Sequence, residues 1–286
     1  MSPVDVPVRR VALEPTFENV PRHFAADGDL ILSHLAAALS AVFPDGEDFF
    51  VRSVRHYREE ITDPVLAAQV SGFIGQEVTH GREHRAFNTH LDTLGYHTKL
   101  VERITRRVIG FRERHMPPIS NLAVTAALEH FTATLAELVL TNTDVQESFG
   151  HDSVRNLFYW HALEESEHKA VAFDVYRAMG GSERLRIMTM KLARYLFVVT
   201  TTFQILFSLL GDRATYRPGV LRESWRNARQ YPLFSRAVWQ ELKAYERKGF
   251  HPSERPNAEL IATWREYLFG DDGTMTATLR GSALAS

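Results

Sequence analysis

The sequence contains two copies of a glutamate followed three residues later by a histidine. The first copy is Glu77 with His80, and the second is Glu165 with His168. Residues three apart lie on one face of a helix, so each pair can direct a carboxylate and an imidazole to one point. Some four-helix bundles hold two metal ions with two such pairs and one further glutamate from each of two other helices. The spacing therefore predicts a di-metal centre inside a helical bundle.

Glu47 is the first candidate for the further carboxylates. It lies 16 residues before the turn at Asp63, and Glu77 lies 14 residues after that turn. At a rise of ~1.5 Å per residue, the two positions are roughly 24 and 21 Å from the turn. Two antiparallel helices would therefore bring Glu47 and Glu77 to the same level.

Glu129 is the second candidate. It lies on an otherwise apolar helix face, where a carboxylate is costly to bury without a metal or a partner. Glu129 is 21 residues before Gly150 and Glu165 is 15 residues after it, which corresponds to roughly 31 and 22 Å. An irregular stretch at residues 143–150 would correct this poorer match.

His161 adds a third histidine to the second pair, because positions 161, 165 and 168 share one helix stripe. We predict it as a seventh ligand, with an outer hydrogen-bonding partner or a core histidine as the alternative. Four carboxylates balance two divalent cations, and oxygen-rich ligation with imidazole favours iron or manganese over zinc. We expect two iron ions, with a manganese–iron pair or zinc as alternatives. The predicted ligands are Glu47, Glu77, His80, Glu129, His161, Glu165 and His168.

Further polar and aromatic residues are expected around this centre. We predict that His84, Asn88 and Glu164 hydrogen-bond to the ligands, with Glu164 also a reserve ligand. Aromatic residues near the ligand stripes could line an apolar pocket above the metals. The pocket candidates are Phe50, Tyr57, Phe73 and Phe131.

The composition excludes several classes of protein. The 286 residues include no cysteine, which excludes disulfides, zinc fingers and thiolate-held clusters. The net charge of −2 provides no field that would attract nucleic acid. Neither a glycine-rich phosphate loop after a strand nor a Gly-x-Ser-x-Gly elbow is present, so we do not expect a nucleotide enzyme or a serine hydrolase.

Hydrophobic periodicity and helix-breaking residues predict an all-α fold, a ferritin-like four-helix bundle with extra C-terminal helices. We divide the chain into an N-terminal arm (1–25), a helical di-metal domain (26–269) and a flexible tail (270–286). Pro44 is expected to end the first helix. The predicted helices are 29–42, 47–61, 62–95, 98–115, 119–148, 152–180, 182–210, 219–229, 233–248 and 255–268.

Residues 195–211 form a run of 17 residues without a charge. A membrane-spanning helix needs ~20 apolar residues, and this run includes several threonines. We expect a buried helix, with a helix lying at a membrane surface as the first alternative and a true span as the last.

Three segments resemble a known family. They are Phe43-Pro44-Asp45-Gly46-Glu47-Asp48-Phe49-Phe50, Gly75-Gln76-Glu77 through His80 and His84, and Trp160-His161 through Glu165 to His168-Lys169. Together they resemble the ferritin-like family described as predicted metal-dependent hydrolases, over residues 20–250. The His161–Glu165–His168 arrangement is also similar to p-aminobenzoate N-oxygenase, a diiron enzyme with three histidine and four carboxylate ligands. The resemblance implies the seven ligands given above, but the rest of the chain differs, so the arylamine substrate is not implied.

Three functions are compatible with these features. We favour a diiron oxidase or oxygenase that activates dioxygen for an apolar small molecule, with an electron-donor protein as a partner. The alternative is a metal-dependent hydrolase that uses a metal-bound hydroxide, and the third is iron oxidation or storage. We expect a cytoplasmic protein that does not bind nucleic acid, with membrane contact through residues 195–211 and homodimer formation as further hypotheses.

Overall fold

The fold is all-α, as predicted. The structure is a computed structural model that describes residues 5–280. Within that range the extended backbone pairs at one isolated bridge, between Val11 and Leu279, and no named strand is formed. The helices are α1 (Leu30–Arg55), α2 (Pro64–Thr93), α3 (Thr98–His115), α4 (Pro118–Thr141), α5 (Thr143–Glu147), α6 (Asp152–His168), α7 (Val171–Ala178), α8 (Glu183–Leu210), α9 (Val220–Gln230), α10 (Arg236–Ala244) and α11 (Ala258–Phe269).

Helices α1, α2, α4 and α6 form a four-helix bundle. α1 packs on α2 and on α4, and α6 packs on α4 and on α2. Asp63 caps α2 by accepting a hydrogen bond from the Val65 amide at 2.9 Å, with Pro64 at the first helical position. α3 crosses between the two halves of the bundle, and α8 to α11 are the extra C-terminal helices.

α1 continues through Pro44, so the prediction of two helices, 29–42 and 47–61, is wrong. Proline lacks an amide hydrogen, which leaves the carbonyl four residues earlier without its helix partner. That carbonyl belongs to Ser40, and the Asn88 side chain of α2 donates to it at 3.0 Å. A hydrogen bond from a neighbouring helix thus replaces the missing one. Glu47 therefore lies within one long helix, opposite α2.

The second half of the bundle is more interrupted than predicted. The helix expected over 119–148 ends at Thr141, and the short α5 follows, begun by the Asn142 side chain, which accepts from the Val145 amide at 3.1 Å. The helix expected over 152–180 divides into α6 and α7 immediately after His168. Residues 143–150, where we expected an irregular stretch, thus begin with the short helix α5, which still separates α4 from α6.

The centre of the bundle lies between two apolar clusters. One cluster contains Phe87 and Trp160, and the other contains Phe73 and Phe173. In α2 the Glu77–His80 pair lies between Phe73 and Phe87, and in α6–α7 the second pair lies between Trp160 and Phe173. Because apolar side chains cover both ends, the intervening polar layer is shielded from bulk water.

Both ends of the described chain pack on the bundle. The N-terminal segment buries Val11, Leu13 and Phe17 against it. Residues 270–280, for which we predicted a flexible tail, instead form a packed segment in which Met275 is fully buried and donates its amide hydrogen bond to Leu268 at 2.8 Å. The predicted arm and tail also include residues 1–4 and 281–286, which lie outside the described residues.

Candidate metal centre

The structure brings all seven predicted ligands into one buried layer. Each is at most 5% exposed. Their donor atoms form overlapping groups, in each of which the atoms lie within 4.8 Å of one another. One group contains Glu77, Glu129 and His168; a second contains Glu47, Glu77 and His80; a third contains His80, His161 and Glu165. Because Glu77 belongs to two groups, the donors surround two adjacent points.

Three carboxylates surround the imidazole of His168. Its Nε2 atom lies 3.2 Å from Glu77, 3.3 Å from Glu129 and 3.5 Å from Glu165. Each carboxylate comes from a different helix, α2, α4 or α6. One cation could therefore be bound by groups from three helices here.

The other two histidines lie beside the second point. His161 Nε2 is 2.9 Å from Glu165 and 3.8 Å from Glu47. His80 Nδ1 is 3.8 Å from Glu77 and 3.9 Å from Glu165. The two imidazoles stack with their ring centres 4.2 Å apart, so both can present a nitrogen to the same carboxylates.

Most of these donor atoms have no hydrogen-bond partner. Among the described residues, the buried unpartnered atoms include both carboxylate oxygens of Glu47, Glu77 and Glu129, Oε2 of Glu165, both ring nitrogens of His80 and Nε2 of His168. A buried polar atom without a partner costs free energy, and a buried carboxylate costs more. Carboxylate oxygens and neutral imidazole nitrogens are ligands of divalent transition metals. The residues present therefore fit a pair of metal cations.

Burial and mutual repulsion raise the pKa values of several carboxylates inside the bundle. Burial, together with the neighbouring Glu129 and Glu165, raises the pKa of Glu77 to about 8. Burial and Glu165 raise the pKa of Glu129 to about 7. The pKa of Glu47 is raised well above its ordinary value by burial and by Glu77. Bound cations would favour the ionised forms and reverse these shifts.

His80 lies beside Glu164, which the sequence analysis gave as a reserve ligand. Its Nε2 lies 3.1 Å from Glu164, whose other oxygen accepts a hydrogen bond from Arg9 at 3.1 Å. Burial lowers the pKa of His80 well below its ordinary value. Nε2 faces Glu164 without forming a hydrogen bond to any described residue, and Nδ1 faces Glu77 and Glu165.

Sequence reasoning missed the partners of His168. Its Nδ1 lies 2.8 Å from Oε1 of Gln76, and the Gln76 amide nitrogen donates to Glu167 at 2.7 Å. Arg9 also donates to Glu167, at 2.7 Å. Gln76 is next to a predicted ligand, but Arg9 is more than 150 residues from Glu167, so no local spacing could have indicated their contact.

His84 and Asn88 lie where they can position His161. His84 Nε2 is 2.7 Å from His161 Nδ1, and its own Nδ1 is 2.9 Å from the Ser40 hydroxyl. Ser40 in turn donates to the side-chain oxygen of Asn88 at 2.7 Å. Burial lowers the pKa of His84 well below its ordinary value. As a neutral imidazole, His84 can accept a hydrogen bond from His161 Nδ1, which leaves the Nε2 atom of His161 free to bind a metal.

Comparison with known proteins agrees with a metal site. Residues 7–255 match the family model described as "Predicted metal-dependent hydrolase". The chain belongs to the family of predicted metal-dependent hydrolases. No curated protein and no solved structure is significantly similar to it. The family description supports the hydrolase alternative better than the oxygenase hypothesis that the sequence favoured.

In this metal-dependent hydrolase family member, an apolar cavity of about 100 Å³ adjoins the donor layer. His161 and Glu165 line it together with side chains of α1, α4 and α6, among them Leu35, Phe43 and Ala136. The cavity also reaches Tyr231 and Leu233, after α9. It is the place where an apolar molecule could approach the two predicted ligands.

The four aromatic residues predicted to line the pocket lie elsewhere. Phe50, Phe73 and Phe131 are buried in an apolar cluster, and Tyr57 packs against that cluster. Phe73 packs against the His168 ring, with 5.0 Å between the ring centres, so it helps to hold that imidazole in place. Which side of the donor layer is open depends on the packing of α1 and α4, which the sequence pattern did not indicate.

Proposed function

We propose that this chain is a dinuclear metal enzyme that hydrolyses a small apolar ester. The observation that carries the proposal is the set of unpartnered buried donors next to an apolar cavity. Glu77, Glu129 and His168 would hold one cation, and Glu47, His80 and His161 the other, with Glu165 between them. When bound, the metals would polarise a carbonyl group and activate water.

The lining of the cavity indicates the class of substrate. Within the described part of the chain, no lysine or arginine lines it, and its walls are mainly aliphatic and aromatic. A phosphate ester would find no lysine or arginine side chain there, whereas an acyl or alkyl chain would pack against leucine side chains. An uncharged carboxylic ester fits both the cavity and the metal-dependent hydrolase family.

The protein's own residues would hold this arrangement rigid and dry. Gln76 hydrogen-bonds to His168 at 2.8 Å and His84 to His161 at 2.7 Å, and Glu164 lies 3.1 Å from His80 Nε2. Such outer partners fix the imidazole tautomer and commonly change metal affinity when they are removed. The apolar clusters around the layer exclude water other than the reacting molecule.

Oxidation of an apolar substrate by dioxygen is the second candidate. It is favoured by the donor set of three imidazoles and four carboxylates, which suits iron. It is also favoured by the cavity lining. Among the described residues, the histidine and the carboxylate that line the cavity, His161 and Glu165, are both predicted ligands, so neither is a separate acid that could protonate a poor leaving group. This function would require an electron-donor protein.

Metal analysis tests the site itself. We expect two metal ions per chain, and loss of metal uptake in the variants Glu77→Ala, His80→Ala and Glu165→Ala. His84→Ala should retain much of the metal at a lowered affinity, because His84 hydrogen-bonds to the predicted ligand His161 and is not itself one of the seven predicted ligands. Full occupancy in Glu165→Ala would contradict the ligand assignment.

Two activity assays separate the candidate functions. Metal-loaded protein should hydrolyse p-nitrophenyl esters with short acyl chains, and a Glu77→Ala sample should not. If the ferrous protein consumes dioxygen in the presence of a reductant and no ester is cleaved, the oxidase is supported and the hydrolase is refuted. Two bound zinc ions together with ester cleavage would support the hydrolase and refute the oxidase.

A further inference from the structure

Helix α8 carries a long apolar surface that faces away from the bundle. Of its 28 residues, three are buried: Arg186, Met190 and Leu209. The expectation that residues 195–211 form a buried helix is therefore wrong. Large apolar side chains that are 55–71% exposed recur at helical spacing along the outer side. They are Met188, Leu192, Tyr195, Phe203, Leu206 and Leu210.

The inner side of α8 is fixed to the bundle. His34 Nδ1 of α1 lies 2.6 Å from the Ser208 hydroxyl, and the Phe197 ring lies 5.0 Å from that of Phe131 in α4. By length and composition, α4 and α8 could each cross a membrane, but α4 is a bundle helix. Because α8 is anchored along its inner side, it lies on the surface of the protein and does not leave it as a span.

Cationic residues are concentrated around α8. Residues 183–239 contain ten arginines and lysines and three acidic residues, although the whole chain has a net charge of −2. Two of the ten add no free charge to the surface, because Arg186 is buried and Arg194 is paired with Glu246. On α9, Arg222, Arg226 and Arg229 are exposed, and Trp225 is 59% exposed between them. α9 adjoins the end of α8, because Leu209 and Ala228 belong to one apolar cluster.

The outer side of α3 has the same character. Ile104 and Val108 are 52% and 63% exposed, and Arg103 and Arg107 beside them are exposed as well. The beginning of α3 meets the end of α8, where the His97 ring lies 5.6 Å from that of Phe207. α3 and α9 therefore both adjoin the end of α8, and we name the exposed apolar and cationic side chains of these three helices the docking face.

We propose that the docking face binds the surface of an anionic lipid bilayer, with α8 lying in the plane of the membrane. Apolar residues on one helix side with arginine and lysine around them are the pattern of interfacial helices. Cationic residues near an anionic leaflet each strengthen binding, by about fivefold. A second copy of the chain is a poorer occupant, because a symmetric dimer would bring two cationic surfaces together.

Docking would also place the cavity near the bilayer. Tyr231 and Leu233 directly follow α9 and line the cavity, while Phe234 beside them is 57% exposed. Delivery of an apolar substrate from the lipid phase rests on the proposed function. The docking itself does not, so its test measures binding and not catalysis.

The test is flotation of the full chain with vesicles of phosphatidylcholine, with and without phosphatidylglycerol. We expect binding to the vesicles that contain phosphatidylglycerol, weakened by salt. Phe203→Glu with Leu206→Glu should reduce binding at least tenfold. Arg222→Glu with Arg226→Glu should reduce it roughly twentyfold or more.

Matched controls are Val65→Glu for the apolar change and Arg58→Glu for the charge change, both exposed residues outside the docking face. They should leave binding unchanged, and circular dichroism confirms that every variant is folded. Equal binding to both vesicle types, or a matching loss in the control variants, would overturn the proposal. Absence of vesicle binding together with a dimer that Phe203→Glu dissociates would also overturn it and assign the face to a second copy.

Discussion

Replacing Glu77 with glutamine should make the metal-free protein more stable, and increasingly so as pH rises. In the folded chain the pKa of Glu77 is about 8, against an ordinary value of 4.5. At a pH between these two pKa values, residue 77 is ionised in the unfolded chain and protonated in the folded chain. The free energy of unfolding therefore falls as the pH rises. Glutamine has the same shape but does not titrate.

The magnitude follows from the size of the shift. Each pKa unit corresponds to about 1.4 kcal/mol, so the metal-free Glu77→Gln variant should gain under ~1 kcal/mol at pH 5 and about 4 kcal/mol at pH 8 relative to the unsubstituted protein. Glu77 also raises the pKa of Glu47, so the substitution lessens that second shift, which acts in the same direction.

Urea unfolding of chelator-treated protein, followed by circular dichroism from pH 5 to pH 8, measures this difference. Glu59→Gln, at an exposed position, is the control and should show no trend. With metal present the order should reverse, because only the unsubstituted protein gains stability by binding cations. A difference that does not change with pH, or a less stable metal-free variant at pH 8, would refute the reasoning.

Three further predictions concern the surroundings of the centre. Gln76→Leu should lower metal affinity ~10–100-fold in a chelator competition, because His168 loses the acceptor that orients it; equal affinity would contradict its role. Ala136→Phe should fill the cavity and reduce ester cleavage at least tenfold with the metal content unchanged; an undiminished rate would place the substrate elsewhere. Asn88→Ala should lower the free energy of unfolding by ~1–3 kcal/mol. Adding Pro44→Ala should restore part of this loss, because the amide of residue 44 can then donate to the Ser40 carbonyl. Strictly additive effects of the two substitutions would exclude this coupling.

The all-α fold could be predicted from the sequence, as could the convergence of the candidate donors. Glu77 with His80, and Glu165 with His168, are pairs within single helices, so their shared direction follows from helical geometry alone. The level of Glu47 followed from counting residues to one turn. That these side chains bind metal stays a prediction, supported by the unpartnered atoms and by the metal-dependent hydrolase family.

The environment of the donors was decided by tertiary contacts. α1 continues through Pro44 because Asn88, 44 positions away from it, supplies a hydrogen bond that no local pattern reveals. Arg9 reaches Glu164 and Glu167 across more than 150 residues. The apolar cavity opens beside Phe43, and not beside the predicted aromatic residues, because its shape depends on how α1, α4 and α6 pack.

The sequence by itself determined which side chains share a helix face, since the angle between successive residues of a helix is constant. Tertiary structure alone decided which partner each imidazole has, which side of the donor layer is open, and which side of α8 remains uncovered. These depend on distances between residues that are remote in the chain, and such distances are set by the packing of whole helices.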